Sequence, residues 1–131
     1  MIKVKIYYHD TDCGGVVYYA NYLKYFEQAR TEFFKERGVS INGLADSGTF
    51  FVVVRQEVDY KSPAVYGDTL LVYSRVADIT AVKVDFEHQV KSEESQLICQ
   101  ARTVLVCVDS DLKPKAIPQD LKEKISVSDF C

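Results

Sequence analysis

Tryptophan is absent from the 131 residues, and histidine occurs only as His9 and His88. Neither has a second imidazole within ligand spacing, so no metal centre is expected and no cofactor is implied. Cys13, Cys99, Cys107 and Cys131 form no CxxC pair, which points to free thiols in a reducing compartment. Nothing approaches the ~18 consecutive apolar residues of a membrane span, and the first residues lack the three-part pattern of a signal peptide. A cytoplasmic protein without a membrane span is expected. Basic residues are not in excess: 16 Lys and Arg against 19 Asp and Glu leave a net charge of -3. Nucleic acid is held mainly by clustered cations and is therefore excluded as a broad partner. With no repeat, low-complexity segment or break in composition, residues 1–131 read as one domain.

What is present is a globular composition, 47% hydrophobic and 27% charged, with nine Tyr and seven Phe. Ile2, Val4 and Ile6 alternate with Lys3 and Lys5, the period of a strand buried on one face. From Asn21 to Arg37, Tyr22, Phe26, Ala29 and Phe33 recur at helical steps. Leu23, Tyr25 and Phe34 widen that stripe and predict a helix wrapped by other structure, with Gly38 as its stop. Asn42-Gly43 and Ser47-Gly48 predict a loop over residues 39–49. Strand patterns follow over Phe50 to Tyr60, Leu70 to Ile79, Val82 to Val90 and Leu97 to Val108. Pro118 opens a short terminal helix. One long helix and five strands joined by short turns give an α+β chain. The economical arrangement is an antiparallel sheet curled around that helix, with sheet edges covered by a homo-oligomer.

The strand-to-helix connection carries the chemistry. Tyr7-Tyr8-His9-Asp10-Thr11-Asp12-Cys13-Gly14-Gly15 places two acids and a Gly-Gly turn immediately before a helix start. Gly14-Gly15 lets backbone N–H groups close on a small ligand. The first N–H groups of the helix carry positive partial charge and suit an oxyanion. A carboxylate beside such donors suggests acyl chemistry. Asp10-Thr11-Asp12-x-Gly14 partly echoes the paired-acid loop of haloacid-dehalogenase-like phosphatases. The strand before it alternates with Lys, however, and the chain lacks βαβ alternation. A calcium loop fails because the twelfth position from Asp10 is Asn21, where a bidentate Glu is needed.

Taken together, Tyr7-Tyr8-x-Asp10-Thr11-Asp12-x-Gly14-Gly15-Val16-Val17-Tyr18, Ala20-Asn21-Tyr22-Leu23, Tyr25-Phe26-Glu27 and Ala29-Arg30-Thr31-Glu32 resemble the hotdog-fold acyl-CoA thioesterases of the 4-hydroxybenzoyl-CoA thioesterase type. The Tol-Pal system-associated branch is the most similar. The likeness continues through Tyr60-Lys61-Ser62-Pro63-Ala64, Tyr66-Gly67-Asp68 and Ala116-Ile117-Pro118. It implies a five-stranded antiparallel sheet wrapped around one long central helix. It also implies dimers or dimers of dimers (a homotetramer) with clefts between subunits, and acyl-CoA or acyl carrier protein as the substrate carrier. Asp12 falls at the family's catalytic carboxylate, as nucleophile or general base, and the Tyr19 backbone N–H at its oxyanion donor. Tyr8, Gly15, Val17 and Tyr18 fall at substrate-binding positions. The Tol-Pal branch commonly has His where Tyr19 stands, whereas Tyr there is similar to the hydroxybenzoyl-CoA enzymes. A non-catalytic module binding acyl-CoA or acyl carrier protein is the alternative.

Other residues have plainer readings. Asp10 reads as a cap or loop-fixing group. Cys13 reads as a small filler, and Tyr18, Tyr22 and Tyr25 as core or acyl-pocket aromatics. Arg30 and Glu32 read as helix-surface or subunit-contact groups. Lys61, Lys83 and Arg102 read as solvated charges that could meet CoA phosphates.

Overall fold

A computed structural model describes residues 1–131. Strand β1 spans Ile2–Lys5 and a short 3-10 turn spans Tyr8–Asp10, followed by α1 over Asn21–Glu36 and α2 over Ile41–Asp46. Strands β2 (Phe50–Tyr60), β3 (Thr69–Ile79), β4 (Lys83–Ser92) and β5 (Leu97–Val108) come next, and α3 (Gln119–Lys124) closes the order. The expected sequence of elements is met, with one difference. The segment 39–49 holds α2, capped where the Ser40 hydroxyl accepts the Gly43 N–H at 3.1 Å. An N-cap supplies a partner to a first-turn amide that the helix itself cannot satisfy, which lets a single turn stand despite Gly43.

The five strands form one antiparallel sheet in the order β1-β3-β4-β5-β2, so β1 and β2 are its edges. Alternation in β4 sends Val84, Phe86, His88 and Val90 under α1. Lys83, Asp85, Glu87, Gln89 and Lys91 face the other way, as period-two patterning requires. On β5 the same inner face carries Cys99, Ala101, Thr103 and Leu105, opposite their β4 partners.

Two core clusters lie along α1. One gathers Tyr22, Phe26 and Ala29 with Ile6, Leu70, Val72 and Val90; the other gathers Phe33 and Phe34 with Val76, Phe86, Leu105 and Leu121. Each fully buried aliphatic or Phe side chain contributes roughly 1.5–3 kcal/mol of transfer free energy. His88 joins the clusters, stacked between Phe26 at 5.0 Å and Phe86 at 6.0 Å between centroids. Its Nδ1 meets the Ser74 hydroxyl at 2.9 Å, and burial, helped by nearby Arg30, pushes its pKa down to about 3.

The helix stripe differs from expectation at two positions. Tyr25 and Phe34 are buried, whereas Leu23 is 43% exposed, because the sheet covers one side of α1 and leaves the other open. Arg30, expected on the surface, is 8% exposed and points between α1 and the sheet.

Candidate active site

The chain from β1 to α1 is tied down by backbone and short-range side-chain bonds. Ile6 N–H donates to Asp68 O at 2.8 Å, and Val17 N–H donates to Ala64 O at 2.8 Å, which anchors the loop to the segment before β3. Asp10 is the organiser. Its Oδ2 accepts from Tyr7 N–H at 2.8 Å, and its carbonyl accepts from Tyr18 N–H at 2.9 Å and from Asn21 Nδ2 at 3.0 Å. This acid fixes the loop against the start of α1.

Asp12 is held differently. Its Oδ1 accepts the Gly14 N–H at 2.8 Å, and its carbonyl accepts the Gly15 N–H at 3.0 Å. The glycine amides thus close on Asp12 itself, where the sequence suggested that they would close on a ligand. Glycine is favoured at both positions for separate reasons. A Cβ on Gly14 would stand 3.2 Å from Asp12 Oδ1, and Gly15 has φ +80°, a conformation that costs a residue with a Cβ roughly 1–2 kcal/mol. Asp12 Oδ2 is left without a partner in the chain.

Beyond the turn, the Tyr19 N–H donates to no acceptor in the chain, and α1 begins two residues later. Helix-start amides point along the axis with aligned dipoles, so an anion placed there is stabilised. The Tyr60 hydroxyl at the end of β2 donates to the Tyr19 carbonyl at 3.0 Å and fixes this turn from the opposite side. Burial and the nearby Cys99 and Tyr19 hold the Tyr60 phenol above its ordinary pKa, so it stays a neutral donor.

A cavity of about 290 Å³ opens between these groups, lined by Asp12, Val16, Val17, Tyr19, Tyr22, Tyr60, Lys61, Ser62 and Pro63. The fold therefore brings Asp12, Val17 and Tyr19 together. Tyr8, 78% exposed, lies against Tyr66, and Tyr18 lies against Tyr19 with ring centroids 4.9 Å apart. Neither lines the cavity, nor does Gly15. Tyr25 belongs to the core and Cys13 is exposed. Lys61 reaches the cavity, while Lys83 and Arg102 stand on the outer sheet face, Arg102 paired with Asp85. Tyr60 and Ser62 are not among the site residues expected from sequence; their signal is the short likeness around Tyr60-Lys61-Ser62-Pro63.

A second cavity, also about 290 Å³, sits beside the other end of α1. Phe34, Ile41, Leu44, Phe51, Val53 and Leu105 line it together with Glu27, Thr31 and the buried Arg30.

Residues 7–125 match the thioesterase-like superfamily. The acyl-CoA thioester hydrolase YbgC of Escherichia coli O157:H7 is 34% identical over 119 residues, which covers 90% of this chain and 89% of that protein. The acyl-CoA thioesterase YbgC of Haemophilus influenzae is 35% identical over 121 residues, 91% of this chain and 88% of that one. Among solved structures, a thioesterase complexed with coenzyme A and Zn from Thermus thermophilus superposes with a TM-score of 0.81 at 31% identity. The superposition covers 95% of this chain and 89% of that chain.

Proposed function

The chain belongs to the thioesterase-like superfamily and is a thioester hydrolase, and from that premise we propose that it cleaves acyl-CoA to the free acid and CoA with Asp12 as its reactive carboxylate. The observation that carries this reading is the pairing of a half-free carboxylate with a free amide on one cavity. Asp12 Oδ1 is committed to Gly14, Oδ2 is open, and the Tyr19 N–H has no partner. A thioester carbonyl seated between them meets an oxygen nucleophile, or a base for water, on one side and an oxyanion donor on the other. A well-placed donor of this kind stabilises the transition state by roughly 3–4 kcal/mol. The thiolate leaves readily, so strong acid assistance is not needed. Tyr22 and Tyr60 wall the acyl group, and Lys61 at the rim offers a positive charge to the phosphates of the carrier.

Oligomerisation completes the site in this reading. β2 is a sheet edge with Val53 and Val54 more than half exposed, and both cavities open beside it. Pairing of two copies along β2 covers that edge and narrows the cavities. Sedimentation should give a multiple of the 14.9 kDa chain, and a monomer at working concentration would rule this out.

The deciding measurement is thiol release from acyl-CoAs across chain length and from aromatic acyl-CoAs. Turnover of at least one class is expected. Tight binding without thiol release would favour a non-catalytic acyl-carrier module.

A further inference from the structure

Arg30 is only 8% exposed, yet no carboxylate lies within ion-pair distance of its guanidinium. Its one hydrogen bond is a long one, Nη1 to Thr103 Oγ1 at 3.4 Å, and that hydroxyl already donates to Gln56 Oε1 at 2.8 Å. Arginine stays charged in proteins, and the nitrogens of Arg30 that bond to nothing in the chain stay accessible on the cavity it lines. Glu27 shares the cavity wall, but it is exposed and accepts from the Thr31 hydroxyl at 3.1 Å. Glu27 acts on Arg30 only from beyond ion-pair distance, so an anion entering the cavity gains bonds that no group of the chain supplies.

Two rulers set the scale along the elements that border both cavities. Asn21 to Arg30 along α1 is nine residues, ~14 Å at the helical rise. Tyr60 to Gln56 along β2 is four residues, ~13 Å at the strand rise. Both cavities border α1 and β2, one toward each end, and Arg30 lines the one farther from Asp12. A plain alkyl chain reaching that far would bury itself against an unpaired charge.

We propose that Arg30 selects acyl groups that carry an anionic far end, a carboxylate on a medium to long chain whose thioester sits at Asp12. This rests on the hydrolase reading above. A carboxylate at Arg30 gains charge-assisted, bidentate hydrogen bonds, which an unsubstituted chain end cannot make.

The test compares matched pairs, from hexanedioyl- against hexanoyl-CoA up to hexadecanedioyl- against hexadecanoyl-CoA. The kcat/KM ratio should favour the dicarboxyl member by about tenfold or more once the chain spans the seam, and not before. Arg30→Met, which keeps the stem and removes the charge, should bring the long-chain ratio to about one. Should that variant fail to fold, the length at which the wild-type ratio turns on carries the same decision. Equal rates for both members at every length overturn the inference and leave the hydrolase reading standing. So does a ratio in favour of the dicarboxyl member that survives in Arg30→Met. If nothing is hydrolysed, non-hydrolysable thioether pairs read by calorimetry separate the two ideas. A dicarboxyl preference there keeps the Arg30 assignment while the hydrolase reading fails, and no preference ends both. A carboxylate of a second copy seated on Arg30 would show as no preference and a weaker oligomer in Arg30→Met, which also overturns the inference.

Discussion

The two ends of α1 each border a cavity of about 290 Å³ and are built on opposite terms. At the N-terminal end the two acids are held by local bonds: Asp12 binds an amide two residues away and Asp10 one three residues away. At the C-terminal end the walls are Phe34, Phe51, Leu44 and Leu105, and the single buried charge, Arg30, bonds across 73 residues of sequence to Thr103. Local bonds hold the Asp12 carboxylate in place and leave one of its oxygens open. Long-range packing holds a cation against the wall of a mostly apolar cavity.

That contrast fails first if the N-terminal end does not carry the chemistry. Asp12→Asn keeps an acceptor for Gly14 and removes the anion, so turnover should fall by about a hundredfold or more with the melting temperature nearly unchanged. Retention of more than about a tenth of the rate would remove Asp12 from the mechanism. The C-terminal end should respond in stability instead. Phe33 is 2% exposed and packs edge-on against Phe86 at 5.2 Å, so Phe33→Ala should cost about 3–5 kcal/mol in urea unfolding. The folded fraction should keep its kcat on short acyl-CoAs.

The junction between the ends is sensitive to acid. His88 titrates near 6.5 when unfolded and is pushed down to about 3 when folded, so the unfolded chain binds the extra proton. Stability from neutral His88 is complete above pH 6.5 and declines as pH falls toward 3, by up to about 1.4 kcal/mol per pH unit. A stability-against-pH curve should show this slope in the wild type and lose it in His88→Gln. The smallest effect concerns α2, the wall of the C-terminal cavity. Ser40→Ala removes its cap and should cost about 1 kcal/mol, read as faster amide exchange at Gly43 with the Asp12 loop unaffected.

Much of this is legible in the residues. Alternation or short apolar runs between turns mark the five strands, helical spacing marks α1, and the acids with Gly14-Gly15 mark the turn, because each is a pattern of neighbours. α2 escapes the pattern because two glycine-containing dipeptides outweigh Ile41, Leu44 and Ala45, a spacing too short to signal a helix by period. Tyr60 does not stand out because its partner, the Tyr19 carbonyl, lies 41 residues away in sequence. Arg30 reads as a surface charge, since spacing reports the face of a helix but not the depth at which the sheet meets it.

The sequence by itself determined the five strands, the long helix, their order and the place of the Asp10 to Gly15 turn, all of which depend on interactions within a few residues. Tertiary structure decided which groups share a cavity: the order β1-β3-β4-β5-β2 carries Tyr60 and Lys61 to the start of α1 and buries Arg30 above Thr103. Those outcomes follow from how a twisted sheet closes on a helix. Strand alternation sets which face a residue takes, and only the packed sheet sets which distant residue it meets there.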